Sequence, residues 1–332
     1  MRSTCFVSKY LCLVLILALP ITCLANNSDQ DSASDESTQV KNSVSQDKTP
    51  DELAREMTNP LAPFTYFDFH IEYRTFQGSI PDAGDQSQNS YIFQGVIPFR
   101  QDNGKGWVLR FKVPYYDDQP IYYSETSDPY DKTGYAEWRM RQEDPTLQGE
   151  NYWNPTHGHT DDMTTDLVYG GVNEDGLILQ YGLAVIWPIT TDTSNGRQQF
   201  ILGPEVNIGK MTDWGTYGAL VSHVVDVAEK KDDFGYGEAN LTTIEAYFSY
   251  GIGNGWQLIS NPVITYDWAG DGGNKLNLPV GLGVSKTFRW GKTPLSLSAE
   301  VQKYVASTDR FATDWMFRMT ISPVLPNKYT RH

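Results

Sequence analysis

From Pro63 onward, apolar and polar residues alternate along the chain with a period of two. Phe67, Phe69, Ile71 and Tyr73 interleave with Asp68, His70, Glu72 and Arg74, giving one apolar and one ionisable face. That is the pattern of a β-strand between two different solvents. Trp107, Leu109, Phe111 and Val113 repeat it around Val108, Arg110 and Lys112. It returns at Leu177–Trp187, Leu276–Val284, Leu295–Val301 and Trp315–Ile321, and more weakly near 88–99, 163–172, 198–209, 215–227, 239–250 and 256–268. The sum is about twelve strands, each near the 9–11 residues a tilted strand needs to cross a bilayer and longer than the 5–6 usual in soluble sheets.

The junctions sharpen the prediction. Every second one is tight and rich in Asn, Asp and Gly: Gln101-Asp102-Asn103-Gly104-Lys105-Gly106, Asn173-Glu174-Asp175-Gly176, Lys210-Met211-Thr212-Asp213, Gly251-Ile252-Gly253-Asn254-Gly255 and Trp290-Gly291-Lys292-Thr293. Such residues supply the positive φ that hairpin turns require. The junctions between them are longer and polar, near 77–87, 116–161, 189–196, 228–238, 269–274 and 306–313. Short periplasmic turns alternating with long outer loops predict an all-β fold: a single transmembrane antiparallel up-and-down β-barrel over residues 63–326, with both ends periplasmic. Aromatic residues near the strand ends (Tyr66, Trp107, Trp187, Trp214, Trp256, Tyr266, Trp268, Trp315) fit the girdles at a bilayer's two interfaces.

The N-terminal region reads differently. Arg2 and Lys9 precede an apolar run from Tyr10 to Leu19, and Pro20 and Thr22-Cys23-Leu24-Ala25 follow. This predicts an export signal over residues 1–25, cleaved after Ala25, with lipidation at Cys23 as the rival reading. Residues 26–50 are almost wholly polar and read as a linker. A short helix is expected within 51–62, carrying Leu53 and Met57 on one face and stopped by Pro60; it would lie either at the barrel foot or inside the lumen as a partial plug. Residues 327–332 form a tail.

Cys5, Cys12 and Cys23 are the chain's three cysteines, so cleavage would remove every thiol and with them cysteine nucleophiles and thiolate metal sites. Removing Arg2 and Lys9 leaves 24 basic residues against 41 acidic, a net of −17. That charge argues against nucleic acid as a partner. It does not identify a ligand, since acidic surface loops are solvated faces or are bridged by divalent cations to lipopolysaccharide; an exported barrel implies outer-membrane lipid, lipopolysaccharide and the barrel-assembly machinery as partners. A mean hydropathy of −0.45 does not decide between soluble and membrane forms, because only alternate residues of a barrel strand meet lipid.

Candidate chemistry lies on the polar face and in one loop. Asp68, His70, Glu72, Arg74, Arg110, Lys112, Glu205, Glu245, Glu300 and Arg318 are expected to line the lumen. Their mixed signs suggest an internally neutralised bore rather than a strong ion filter. The long loop at 116–161 is dense in aromatics and acids, which makes Tyr122, Tyr123, Trp138 and Trp153 candidates for a binding surface. His157 and His159 with Asp161 and Asp162 are loosely spaced for a metal, and no serine sits in a recognisable nucleophile turn. No metal, cofactor or catalytic residue is assigned.

Several motifs carry a family resemblance. They are Asp51-Glu52-Leu53-Ala54 leading to Asn59-Pro60, Val96-Ile97-Pro98-Phe99, Gly255-Trp256-Gln257-Leu258 with Ser260-Asn261-Pro262-Val263-Ile264, Leu278 to Val284, and Asp314-Trp315-Met316-Phe317-Arg318. Over residues 51–326 the chain resembles a family of proteobacterial outer-membrane proteins labelled transporters or "MetA-pathway of phenol degradation" proteins. The motifs are structural rather than catalytic. The resemblance implies a barrel and passage of small molecules, aromatic and hydrophobic ones included. A closed-lumen structural or binding barrel and an outer-membrane hydrolase are the alternatives. The 116–161 loop departs from the family's usual form by its length.

Overall fold

The structure, a computed structural model, describes residues 48–123, 152–154, 156–191, 199–229, 239–270, 273, 275–291 and 293–326. The expected signal segment, most of the polar linker, Trp138 with the middle of the long loop, and the tail lie outside the described residues.

Alternation becomes a closed wall. The strands are β1 (Phe64–Gln77), β2 (Ser87–Arg100), β3 (Lys105–Gln119), β4 (Tyr122–Tyr123), β5 (Tyr152–Trp153), β6 (Thr156–Thr160), β7 (Met163–Val172), β8 (Leu177–Trp187) and β9 (Gln199–Met211). They continue with β10 (Gly215–Glu229), β11 (Asn240–Gly253), β12 (Trp256–Ser260), β13 (Val263–Asp267), β14 (Leu276–Trp290), β15 (Thr293–Ala306) and β16 (Ala312–Pro326). Strands β6 and β7 share one edge of β3 and count as one stave, as do β12 and β13 between β11 and β14. Each stave pairs antiparallel with its neighbour, and β1 pairs with β16 from Phe64–Pro326 to Gln77–Ala312. The ring is therefore a closed antiparallel barrel of twelve staves. Strands β4 and β5 pair only with each other, in the long loop.

Closure leaves no free sheet edge, which is what a strand structure needs to cross lipid with every backbone group paired. The faces are inverted relative to a soluble sandwich. On β8, Leu179, Tyr181 and Leu183 are 49%, 60% and 52% exposed, whereas the intervening Gln180 is 1% exposed. The apolar exterior belongs in a bilayer, and the polar side chains fill the bore. Aromatic pairs mark both rims: Trp107 with Tyr169 (5.0 Å) and Trp214 with Tyr217 (5.7 Å) at the short-turn end, Trp187 with Phe200 (5.1 Å) and Tyr266 with Trp268 (4.6 Å) at the other. Tyr66 departs from the girdle expectation. It shares the even-numbered, inward parity of Asp68 on β1 and packs against the buried clusters around Leu53 and Leu61.

The ninth stave breaks where the sequence places Pro262, which cannot donate to a ladder. Pairing with β14 stops at Ile259–Gly283 and resumes at Thr265–Asn277. Side chains of β15 stitch the interval: the Asn261 N–H donates to Glu300 Oε1 (2.7 Å), and Gln302 Nε2 donates to the Asn261 carbonyl (3.1 Å). They reach across β14 at Gly281 and Gly283, where a Cβ would collide with Gln302 and Glu300 themselves.

Gly182 on β8 is a second close approach. A Cβ there would sit 2.7 Å from Val168 Cα. Gly182→Val should cost about 3 kcal/mol, the upper end of the usual range for overpacking. The share of refolded protein that keeps its compact mobility on unheated gels would measure it, and unchanged mobility and thermal midpoint would refute the argument.

Residues 48–62 cross the short-turn end, the periplasmic end in barrels of this type. Helix α1 (Pro50–Met57) is set by Pro at its first position and by a capping box. Glu52 N–H donates to Thr49 Oγ1 (3.2 Å) while Glu52 Oε2 accepts from Thr49 N–H (2.7 Å). The backbone N–H and hydroxyl of Thr49, aided by Lys48, hold the Glu52 carboxyl below the usual carboxylate range.

Candidate functional site

The bore holds the site, and three parts build it. The first is a floor. Leu53 is fully buried against Ala62, Phe64 and Val324, and Leu61 packs on Val96, Val108 and Val168. Polar anchors are spread around the rim. The Asp51 carboxylate accepts from the backbone N–H of Asn254 (3.1 Å) and Gly255 (2.5 Å) in the β11–β12 turn. Arg55 pairs with Asp213 (3.4 Å) in the β9–β10 turn, and the Thr58 and Thr216 hydroxyls lie 2.7 Å apart. The contacts of this segment thus run from β14 past β12 and β10 to β7, β3 and β2 before β1 begins. Helix α1 meets the turns at the rim, while Met57, Thr58 and Pro60 face the bore.

The second part is a strut. Arg110 on β3 donates through Nε to Asp166 Oδ2 (2.5 Å) and through Nη1 to Glu245 on β11. Lys112 Nζ donates to the same Glu245 (3.2 Å). Strands β3 and β11 are five staves apart on a ring of twelve, so these ion pairs run across the bore rather than along its wall. Asn207 bridges β8, β9 and β11, donating to Gln180 Oε1 (2.9 Å) and accepting from Tyr247 Oη (2.9 Å).

The third part is a charge cluster on the β15–β16–β1 wall. Glu72, fully buried, accepts from Arg74 (2.6 Å) and Arg318 (2.7 Å), and Arg318 lies 3.9 Å from Glu300. Asp68 accepts from Ser322 Oγ (2.5 Å) and Gln94 Nε2 (2.9 Å), and His70 Nδ1 is 2.9 Å from Thr320 Oγ1. Glu72→Ala would leave two guanidinium groups facing each other with their shared carboxylate gone. It should cost about 3–5 kcal/mol, the usual penalty for breaking a buried pair from one side. A lowered urea midpoint for the lipid-inserted barrel is the expected reading; an unchanged midpoint would contradict it.

Between floor and strut lies a cavity of about 420 Å³. Met57, Thr58 and Pro60 face it from the floor, and Asp68, His70, Arg110, Lys112, Glu205, Glu245, Glu300 and Arg318 face it from the wall. Glu72 and Arg74 lie beyond this lining. Asp166, which sequence reasoning missed, is 3% exposed and holds Arg110. Its signal was the inward parity it shares with Thr164 and Val168 on a weakly patterned strand. Its pairing with Arg110 depends on the β3–β7 register, in which the two residues are direct partners.

The loop residues separate. The Trp153 ring lies tilted against Tyr122 (5.1 Å) and Phe311 (4.9 Å) and donates through Nε1 to the Pro81 carbonyl (2.8 Å), while Tyr123 pairs with Tyr152 in the β4–β5 ladder. His157 Nδ1 sits 2.6 Å from Asp118, and His159 Nε2 3.3 Å from Gln119 Oε1. Among the described residues no three His, Cys, Asp or Glu side chains are grouped to hold a metal ion.

The fold has solved counterparts. The "COG4313 outer membrane channel from Pseudomonas putida F1" superposes with a TM-score of 0.55 at 11% identity, covering 79% of this chain and 95% of that one. That likeness shows a shared outer-membrane barrel fold. The NanC porin (TM-score 0.43, 11% identity, 77% and 98% covered) and the Pseudomonas putida toluene transporter TodX (0.39, 9%, 82% and 93%) are more distant barrels. No family model matches the chain. No curated protein matches it either. The phenol-degradation label therefore rests on the sequence motifs alone.

Proposed function

We propose that this chain is an outer-membrane channel for small molecules, non-enzymatic, and held shut from the periplasmic side by its own residues 48–62. One observation carries the reading. The bore contains a cavity of about 420 Å³ whose floor is the chain's N-terminal segment rather than the barrel wall. Small barrels without a transport role fill their interior with side chains of the wall itself. Here a separate segment closes one end of the bore in addition to the strut of wall side chains, attached mainly by Leu53 and Leu61, with a pair of hydroxyls and an aspartate on a turn. Those contacts sum to a few kcal/mol, the range in which a gate can be shifted by a partner or ligand.

The cavity lining combines charged side chains with Tyr66, Val96, Val108, Val168 and Leu220. A small solute with an apolar body fits such a lining, in keeping with the aromatic cargo that the sequence resemblance implies. The apolar belt requires lipid around it. Lipopolysaccharide at the long-loop rim and the barrel-assembly machinery for insertion complete the partners of this reading.

Single-channel recording on the refolded protein tests it, with and without residues 48–60. Rare or partial openings that become frequent after the deletion support the channel. Silence in both forms would leave a structural or surface-binding barrel.

A further inference from the structure

We infer that the lumen cavity is a binding site for a small organic amine, with its ammonium group on Glu205 and Asp166 and its apolar body against Val108, Val168 and Leu220. The inference rests on the channel reading for its biological purpose, but its evidence is separate. Five carboxylates line the cavity (Asp68, Asp166, Glu205, Glu245, Glu300) against three cations (Arg110, Lys112, Arg318). Most of these acids are accounted for. Glu245 takes both Arg110 and Lys112, Asp68 takes Ser322 and Gln94, and Glu300 takes Asn261 and Gln302.

Glu205 is different. It is 3% exposed, and its Oε1 has no hydrogen-bond partner among the described residues. The same holds for Asp166 Oδ1, since Arg110 takes only the other oxygen. Gln180 Nε2 beside them is likewise unpartnered and buried. Arg110 is the one cation shared by Asp166, Glu245 and this corner, so two neighbouring carboxylates here have less positive charge than they need and one unpartnered oxygen each, a costly arrangement for buried acids.

The cavity reaches both acids. In register, Asp166 pairs with Ala184 and Glu205 pairs with Gly182, so one β8 stave separates them, and both line the same space. Val168 is the other partner of Gly182 and, with Val108, forms an apolar surface next to the acids. An ammonium can donate to both orphan oxygens, and a short aryl or alkyl body lies against Leu220 and the parts of Val108 and Val168 that Leu61 leaves facing the cavity. The cavity volume lies within the range that holds small ligands.

Benzylamine is the probe, with benzyl alcohol as its uncharged counterpart and ammonium chloride as a bare cation. Binding to the full chain in detergent is read by calorimetry or ligand-observed NMR. Benzylamine should bind at least about tenfold more tightly than benzyl alcohol, and Glu205→Gln should remove that preference while leaving benzyl alcohol unchanged. Equal affinities for the two in the unaltered chain would overturn the proposal, as would competition by ammonium chloride at the same concentration as benzylamine. If the Gln variant does not refold, the comparison in the unaltered chain decides alone. Because binding is measured without conductance, a silent bilayer would remove the channel and leave this site standing.

Discussion

Deleting Lys48–Pro60 should raise the time-averaged conductance of the refolded barrel by about tenfold or more, because the segment spans the bore whereas the remaining obstruction is made of side chains. Leu53, with no exposed surface, and Leu61 supply most of the attachment, each contributing about 1.5–3 kcal/mol by burial. The ion pair of Arg55 with Asp213 is solvent-exposed and contributes little. A cross-link provides the converse test. The Thr58 and Thr216 hydroxyls are 2.7 Å apart, so Thr58→Cys with Thr216→Cys should form a disulfide. Every native cysteine lies within the first 25 residues, where the expected signal cleavage removes it. Oxidised, the variant should stay closed; reduced, it should recover the openings of the unaltered protein. Equal conductance in the two redox states would show that the segment does not gate the bore.

Arg110→Ala should have the largest effect on what the bore admits. Arg110 ties Asp166 and Glu245 together across the lumen, and its loss leaves both carboxylates facing the cavity with Lys112 as the remaining cation near Glu245. In the background lacking residues 48–60, the variant should show a wider bore and favour cations over anions by about tenfold, since rings of carboxylate select for positive charge. Reversal potentials in a salt gradient read the preference directly. The barrel should also lose about 3–5 kcal/mol, the cost of stranding buried charge. Adding Glu245→Ala should restore part of both effects, and the double-mutant cycle isolates the strut from general loosening. A selectivity unchanged from the parent would place the strut outside the conducting path.

Period-two alternation assigns Asp68, Glu72, Arg110, Glu245 and Arg318 to one face of their strands, because side-chain direction in a strand depends only on parity. Turn chemistry orders the hairpins, because Asn, Asp and Gly mark the positions where φ turns positive. The sequence by itself therefore determined an up-and-down barrel of about twelve strands, its two ends and the sidedness of most of its charges. Tertiary structure alone decided that Arg110 reaches Glu245 across five staves, that Asp166 stands beside it, that β12 and β13 part at Pro262, and that Leu53 carries the N-terminal segment across the bore. The reach of Arg110 to Glu245 depends on ring closure, which brings together residues 135 positions apart, and the place of Asp166 depends on the β3–β7 register. The same holds for the floor: a short amphipathic helix reads alike whether it lies on a rim or inside one, and only the buried surface waiting at Phe64, Val96 and Val324 chooses.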